Sequence, residues 1–264
     1  MIELLRGVWR FRGFILASVR REFAARYRGT QLGALWPLLH PLVLITIYTL
    51  VFAQVMGTRL PGNESRFGYS IYLTSGLVVW SLFGELLQRS VGIFVQNAEL
   101  LKKVNVHKLA FPAIASLSAL LQAGILLTLF LVFLAATGNL PGTPLLAVVP
   151  VLVIASLLAM GLGLFLATVN VFYRDVEQAT QVVLQFWFWL TPIVYPLAAL
   201  PEGVARVLQW NPAWPIVRAM QDIFVQGRWP EWSSLAYPLA LAIVLAMLAR
   251  MAFGRLAHEL VDEL

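Results

Sequence analysis

Leu109 to Tyr173 is a run of 65 residues without a single Asp, Glu, Lys or Arg. It is too long for one helix and too apolar for a surface that faces water. A helix crosses a bilayer with about 20 apolar residues, so the run holds two spans. The turn-forming stretch "GNLPGTP" (Gly138–Pro144) divides them. The rest of the chain agrees with this reading. It is 60% hydrophobic and 12% charged, with a mean hydropathy of +0.80. Soluble domains carry about 25% charged residues. Half that charge cannot cover a soluble surface, so lipid is the solvent for much of the molecule.

The sequence predicts an all-α membrane protein with six transmembrane helices. The spans fall at 32–56, 69–94, 109–137, 145–170, 178–198 and 232–252. Between the last two, "PEGVARVLQWNPAWPIVRAMQDIFVQGRWPEW" is apolar in patches and broken by Pro212 and Pro215. It is too short and too charged to span. Residues 201–223 are therefore expected to form short re-entrant helices on the outer side, covered by protein or lining a cavity, or else an outer loop with interfacial helices.

Charge sets the orientation. With six spans both ends lie on one side, and that side holds 13 of the 19 lysines and arginines. The opposite loops hold five: Arg59, Arg66, Arg206, Arg218 and Arg228. The richer face is cytoplasmic by the positive-inside rule.

Residues 1–30 form a separate unit ahead of the membrane domain, 31–264. Leu4, Val8, Phe11, Ile15, Val19 and Phe23 recur at steps of three and four, one face of a helix. Seven arginines share the stretch 1–28. Such a basic amphipathic helix lies in the membrane surface or packs on the protein's own cytosolic side. The charges at Arg6, Arg10, Arg12, Arg20 and Arg21 leave no clean apolar core, so a cleavable signal is not expected.

Several chemistries are excluded. There is no cysteine, hence no disulfide or thiol catalysis. His40, His107 and His258 have no metal-ligand spacing. No phosphate-binding G-x-x-x-x-G-K-[ST] loop occurs. The aromatics sit inside apolar spans, which argues against nucleic acid. Energy for any active movement must come from a partner.

A few constellations remain. Glu85 and Arg89 are four apart and pair along a helix, as a structural couple or in conduction. "NAELLKKVNVHKLAFP" joins the second and third spans on the cytoplasmic side, and its centre, Glu99–Val104, is amphipathic. It is either a basic loop or a short helix that docks into a groove of another protein. "QFWFWLTPIVYP" places Trp187, Trp189 and Tyr195 close together, and Trp36, Tyr48 and Phe52 lie in the first span. Four consecutive aromatics, Phe186 to Trp189, point to all sides of a helix. Those facing inward either pack in the core or line a passage suited to sugar rings. Pro37 and Pro41 each remove a backbone donor and permit a kink in the first span.

"RYRGTQLGALWPLLHPLVLITIYTLVF" (Arg26–Phe52) resembles the first-span signature of ABC-2 type export permeases for bacterial polysaccharides, which include O-antigen, capsule and teichoic-acid exporters. The pattern Arg-Tyr-Arg, Leu-Gly-x-Leu-Trp-x-x-x-x-Pro and Tyr-x-x-Val-Phe is met by Arg26, Tyr27, Arg28, Leu32, Gly33, Leu35, Trp36, Pro41, Tyr48, Val51 and Phe52. "NVFYRDV" (Asn170–Val176) and Asn211–Pro212 also match.

The resemblance implies a homodimeric permease in the bacterial inner membrane, with two ATP-binding subunits on a separate chain. No cofactor belongs to this chain; ATP and Mg sit on the partner. The segment 96–106 would be the coupling helix, with Glu99, Leu100, Lys102 and Lys103 at its centre. Residues 201–223 would be two re-entrant helices. The cargo would be a polysaccharide linked to undecaprenyl pyrophosphate, moved from cytoplasm to periplasm. Arg26, Tyr27 and Arg28 would lie at the channel mouth, where arginine suits a pyrophosphate. Two rivals remain open. One is an ABC-2 permease for a different lipid or a drug. The other is a membrane-embedded glycosyltransferase, for which the best carboxylates, Asp175, Glu177 and Asp222, lie on opposite faces.

Overall fold

In hydrocarbon every backbone N–H and C=O must find a partner within the chain, and a helix supplies one locally. The computed structural model describes residues 11–27, 31–50, 67–98, 110–197 and 200–263, and all regular structure among them is helical. Arg12–Tyr27 forms α1. A short 3-10 turn, Gly33–Leu35, leads into α2, Trp36–Tyr48. Gly92 separates α3, Gly68–Val91, from the single turn of α4, Ile93–Gln96. α5 is Ala110–Thr137. A 3-10 segment, Thr143–Ala147, opens α6, Val148–Phe172. There follow α7, Asp175–Trp189, α8, Glu202–Leu208, α9, Trp214–Gln226, and α10, Trp232–Glu263.

Four helical segments are long and apolar enough to cross a membrane: Gly68–Val91, Ala110–Thr137, Thr143–Phe172 and Trp232–Ala252. They match the second, third, fourth and sixth expected spans to within a few residues. α2 occupies the start of the first, and residues 51–56 lie outside the described residues. Pro37 does not kink that span. It sits in the first turn of α2, where its missing N–H has no bond to make; Pro41 is the proline inside the helix.

The expected fifth span, 178–198, differs most. α7 starts at Asp175 and stops at Trp189. Its 15 residues reach about 22 Å, against about 30 Å of hydrocarbon. The backbone beyond is irregular to residue 197. Pro192 lacks an N–H and turns Thr191 away from helical geometry.

α6 is the centre of the bundle and packs most extensively on α10 and α3. Lipid gives helices no hydrophobic reason to associate, so close van der Waals contact must hold them. α6 buries Ala155, Ala159, Gly163 and Ala167 at four-residue intervals. A Cβ on Gly163 would stand 2.4 Å from the Ser90 Cβ of α3. One on Gly161 would stand 2.8 Å from the Ala242 carbonyl oxygen of α10.

α1 packs on the protein. Ile15 and Val19 bury against Ala110 and Ile114 of α5, with Phe11 beside them. That is part of the predicted stripe; Leu4 and Val8 lie outside the described residues. In the segment expected to be re-entrant stand two short helices. α8 is largely exposed, whereas α9 buries Trp214, Ile216, Val217, Met220 and Ile223 against α3 and α6.

Candidate functional site

The polar contacts of this apolar bundle collect at the two ends of α3. At its C-terminal end Arg89 Nε meets Glu85 Oε1 at 2.7 Å, the predicted couple. Arg89 Nη1 also meets Glu22 Oε2 of α1 at 2.9 Å, and Ser118 Oγ of α5 donates to the same oxygen at 2.8 Å. Glu22 thus ties α1 to two spans. Sequence reading missed it, because its partners are 67 and 96 residues away. A cavity of about 350 Å³ opens beside it, lined by Ser18, Arg21, Glu22, Arg89, Gln96 and Asn97 among others.

A second set of contacts at this end joins α3, α4, α6 and α7. Asn170, the first residue of "NVFYRDV", is buried at the end of α6. Its Nδ2 donates to the Val91 carbonyl at 3.3 Å, one of the oxygens a helix end leaves unpaired. Its Oδ1 accepts the Glu177 N–H at 3.0 Å, capping the first turn of α7. Gln88 Nε2 donates to the Glu177 carbonyl at 3.3 Å. Gln96 Nε2 donates to Glu177 Oε1 at 2.8 Å. The Gln96 side chain folds over Gly92 to do so, and a Cβ there would stand 2.3 Å from Gln96 Nε2.

The other end of α3 holds the irregular backbone after α7. Tyr72 Oη lies 3.1 Å from the Pro192 carbonyl oxygen and 3.0 Å from that of Tyr195. The Tyr69 hydroxyl donates to the Val194 carbonyl, and Gln221 Nε2 of α9 donates to the Pro192 carbonyl at 3.1 Å. Asn211 is the hub. Its Oδ1 accepts Trp187 Nε1–H at 2.8 Å and the Ala213 N–H at 3.0 Å. Its Nδ2 donates to the Leu190 carbonyl at 3.1 Å and to Thr191 Oγ1 at 2.9 Å. Side chains therefore serve the carbonyls of Leu190, Pro192, Val194 and Tyr195 where the helix has ended. This is the condition for non-helical backbone at membrane depth.

The aromatics of α7 divide as the helix geometry requires. Trp187 packs edge-on to Phe83 at 5.2 Å, and Phe188 packs on Trp80 at 5.8 Å. Phe186 and Trp189 are 68% and 61% exposed, so they face away from the bundle. Tyr195 is half-buried and donates to the Trp189 carbonyl at 2.5 Å. Trp36 is exposed at the start of α2. α2 packs on α5 and α3, while α7 packs on α3 and α6. The backbone of Arg26 and Tyr27 ends α1 and that of Tyr48 ends α2. Their side chains, together with Arg28, Phe52, Glu99, Leu100, Lys102 and Lys103, lie outside the described residues. Glu177 and Asp222 are well separated along α3: Glu177 sits by Gln88, and Gln221, next to Asp222, by Gly76. Asp222 is instead bound to Arg228 at 2.7 Å.

The family model described as ABC-2 type transporter matches residues 14–225, from α1 through α9. Over 267 residues the chain is 30% identical to the O-antigen export system permease protein RfbA of Myxococcus xanthus, covering all of both chains. A protein of the same name from Klebsiella pneumoniae is 25% identical, over 94% of this chain and 93% of its own. The polysialic acid transport protein KpsM of Escherichia coli is 25% identical, over 90% and 91%. The match runs through both polar joints and the apolar helices between them, and this chain belongs to the ABC-2 type transporter family.

Proposed function

We propose that this chain is the permease subunit of an ATP-driven exporter for a polysaccharide of O-antigen type. The observation that carries the reading is the end-to-end similarity to a permease named for O-antigen export. Family membership already makes the chain a membrane component of a transporter. It also implies a partner that binds ATP; ATP and Mg would be held there.

In this proposal two copies form the channel and two ATP-binding subunits drive it. The chain sits in the bacterial inner membrane with six spans and both termini in the cytoplasm, a placement supported by the asymmetry of its lysines and arginines. Residues 96–106, with Glu99, Leu100, Lys102 and Lys103, dock on the ATP-binding subunit. Arg26, Tyr27 and Arg28 receive the pyrophosphate of an undecaprenyl-linked glycan at the cytoplasmic mouth. The rings of Trp36, Tyr48, Phe52, Trp187, Trp189 and Tyr195 offer apolar faces to sugars, with Trp36 and Trp189 the most exposed of those described.

Deleting the chain tests the proposal. The expected outcome is loss of surface polysaccharide together with accumulation of its lipid-linked precursor inside the cell. Loss of the precursor itself would assign the chain to synthesis. An unchanged surface polysaccharide would assign it another cargo.

A further inference from the structure

α7 is a short helix tied at both ends, with only Thr180 and Leu184 turned to the bundle between them. At its first turn Glu177 is held through three atoms: its N–H by Asn170, its carbonyl by Gln88 and its carboxylate by Gln96. At its last turn Trp187 is held by Asn211 and by the rings of Phe83 and Trp80. Between them Gln178, Ala179, Gln181, Val182, Val183 and Gln185 are exposed and only Thr180 is buried. A helix bound this way moves as one piece, because its own hydrogen bonds are stiffer than its sparse lateral contacts.

The two ends are chemically unequal. The outer attachment is a tight set of rings and amide bonds. The inner one holds the Glu177 backbone to α6 and α3 through Asn170 and Gln88, and its carboxylate to Gln96, at the start of the proposed docking segment, through one bond of 2.8 Å. Gly92 makes that bond possible, since the Gln96 amide occupies the space a Cβ would fill.

We propose that Glu177 is a positioning residue that links the ATPase-docking segment to α7, so that α7 acts as a rod setting the non-helical outer connector. The idea rests on the ABC-2 exporter reading above. When the docking segment shifts, Gln96 pulls Glu177, α7 follows, and Trp187 and Asn211 carry the shift to residues 190–195. Glu177 touches no cargo in this scheme. It acts through the elements it joins.

The test uses the complete complex with its ATP-binding subunit. Glu177→Ala removes the acceptor and Gly92→Ala pushes Gln96 off it, whereas Glu177→Gln keeps an acceptor oxygen. We expect the two alanine variants to assemble and hydrolyse ATP within about twofold of wild type, yet to export at least about tenfold less polysaccharide. Glu177→Gln should restore export. The chain has no cysteine, so spin labels at Val149→Cys and Gln185→Cys report the outer end of α7 against α6 without background from this chain. Their separation should change on ATP trapping in the parent and stay fixed in Glu177→Ala.

Normal export by Glu177→Ala overturns the proposal. So does a proportional fall of export and ATP turnover, or a label shift that persists. If the parent complex exports no polysaccharide, the exporter reading fails instead; the label measurement still decides the rod.

Discussion

α6 and α7 are consecutive in the chain, with only Tyr173 and Arg174 between them, yet they are held in opposite ways. α6 is clamped along its length by small residues that bring neighbouring backbones close, with Gly163 against α3 and Gly161 against α10. α7 has almost no buried side face and is fixed by amides and rings at its ends. Contact packing of the first kind has no easy alternative arrangement, because every turn must repack at once. End bonding of the second kind can change at one joint and leave the helix whole. In a transporter the first suits a fixed frame and the second a moving part.

The largest effect should come from breaking the frame. In Gly163→Ala the new methyl carbon meets the Ser90 Cβ at 2.4 Å, with the Leu87 carbonyl 3.1 Å away. Neither neighbour is the free end of a flexible side chain, so the helices must part. The expected cost is about 3 kcal/mol, the upper end for overpacking, read as a lower melting temperature in detergent and less protein in the membrane. Gly124→Ala is the control. A Cβ there meets nothing within 4 Å, and the change should be neutral or slightly stabilising. If both variants melt alike, α6 is not held by close approach.

This contrast also explains what could be read from the sequence. The four long helices follow from apolar runs, since hydropathy and length are local properties. The early end of α7 was not legible. "LTPIVYP" continues the apolar pattern, and the groups that allow it to leave the helix, Tyr69, Tyr72, Gln221 and Asn211, come from α3, α9 and the connector before α9. Asn211 and Asn170 were visible only as members of motifs that carry a resemblance. Asn170 did carry a physical signal. It is an amide near the end of a long charge-free run, and a buried amide needs partners. The Gln96 to Glu177 bond joins residues 81 apart, and no spacing rule reaches that far.

An intermediate effect should follow from loosening the attachment of α7 at Trp187. Asn211→Ala leaves Trp187 Nε1, the Ala213 N–H and the Leu190 carbonyl to find new partners. At about 1 kcal/mol net for each hydrogen bond, with partial compensation, the expected loss is about 2 kcal/mol. Asn211→Asp keeps the acceptor but sets a carboxylate oxygen against the Leu190 carbonyl, so it should cost at least as much. Thermal unfolding followed by tryptophan fluorescence checks both values. A cost equal to that of Gly163→Ala would mean that α7 belongs to the frame.

The smallest effect should come from Glu22→Gln, and it sharpens the comparison by supplying a third kind of attachment. α1 is held by a little of each: Ile15 and Val19 packed on α5, and the Glu22 carboxylate on Arg89 and Ser118. The ion pair is partly open to water, with Glu22 at 42% and Arg89 at 24% exposure. Such pairs contribute about 0.5 kcal/mol, and salt weakens them further. Glutamine keeps an oxygen for Ser118, and Arg89 keeps Glu85. The melting temperature should therefore fall by a degree or so at low ionic strength, on the order expected from that energy, and the difference should vanish in high salt. A larger, salt-independent loss would show that the Arg89 centre fixes α1 as firmly as packing fixes α6. In that case the surface helix would move with the frame and not with the joint at Glu177.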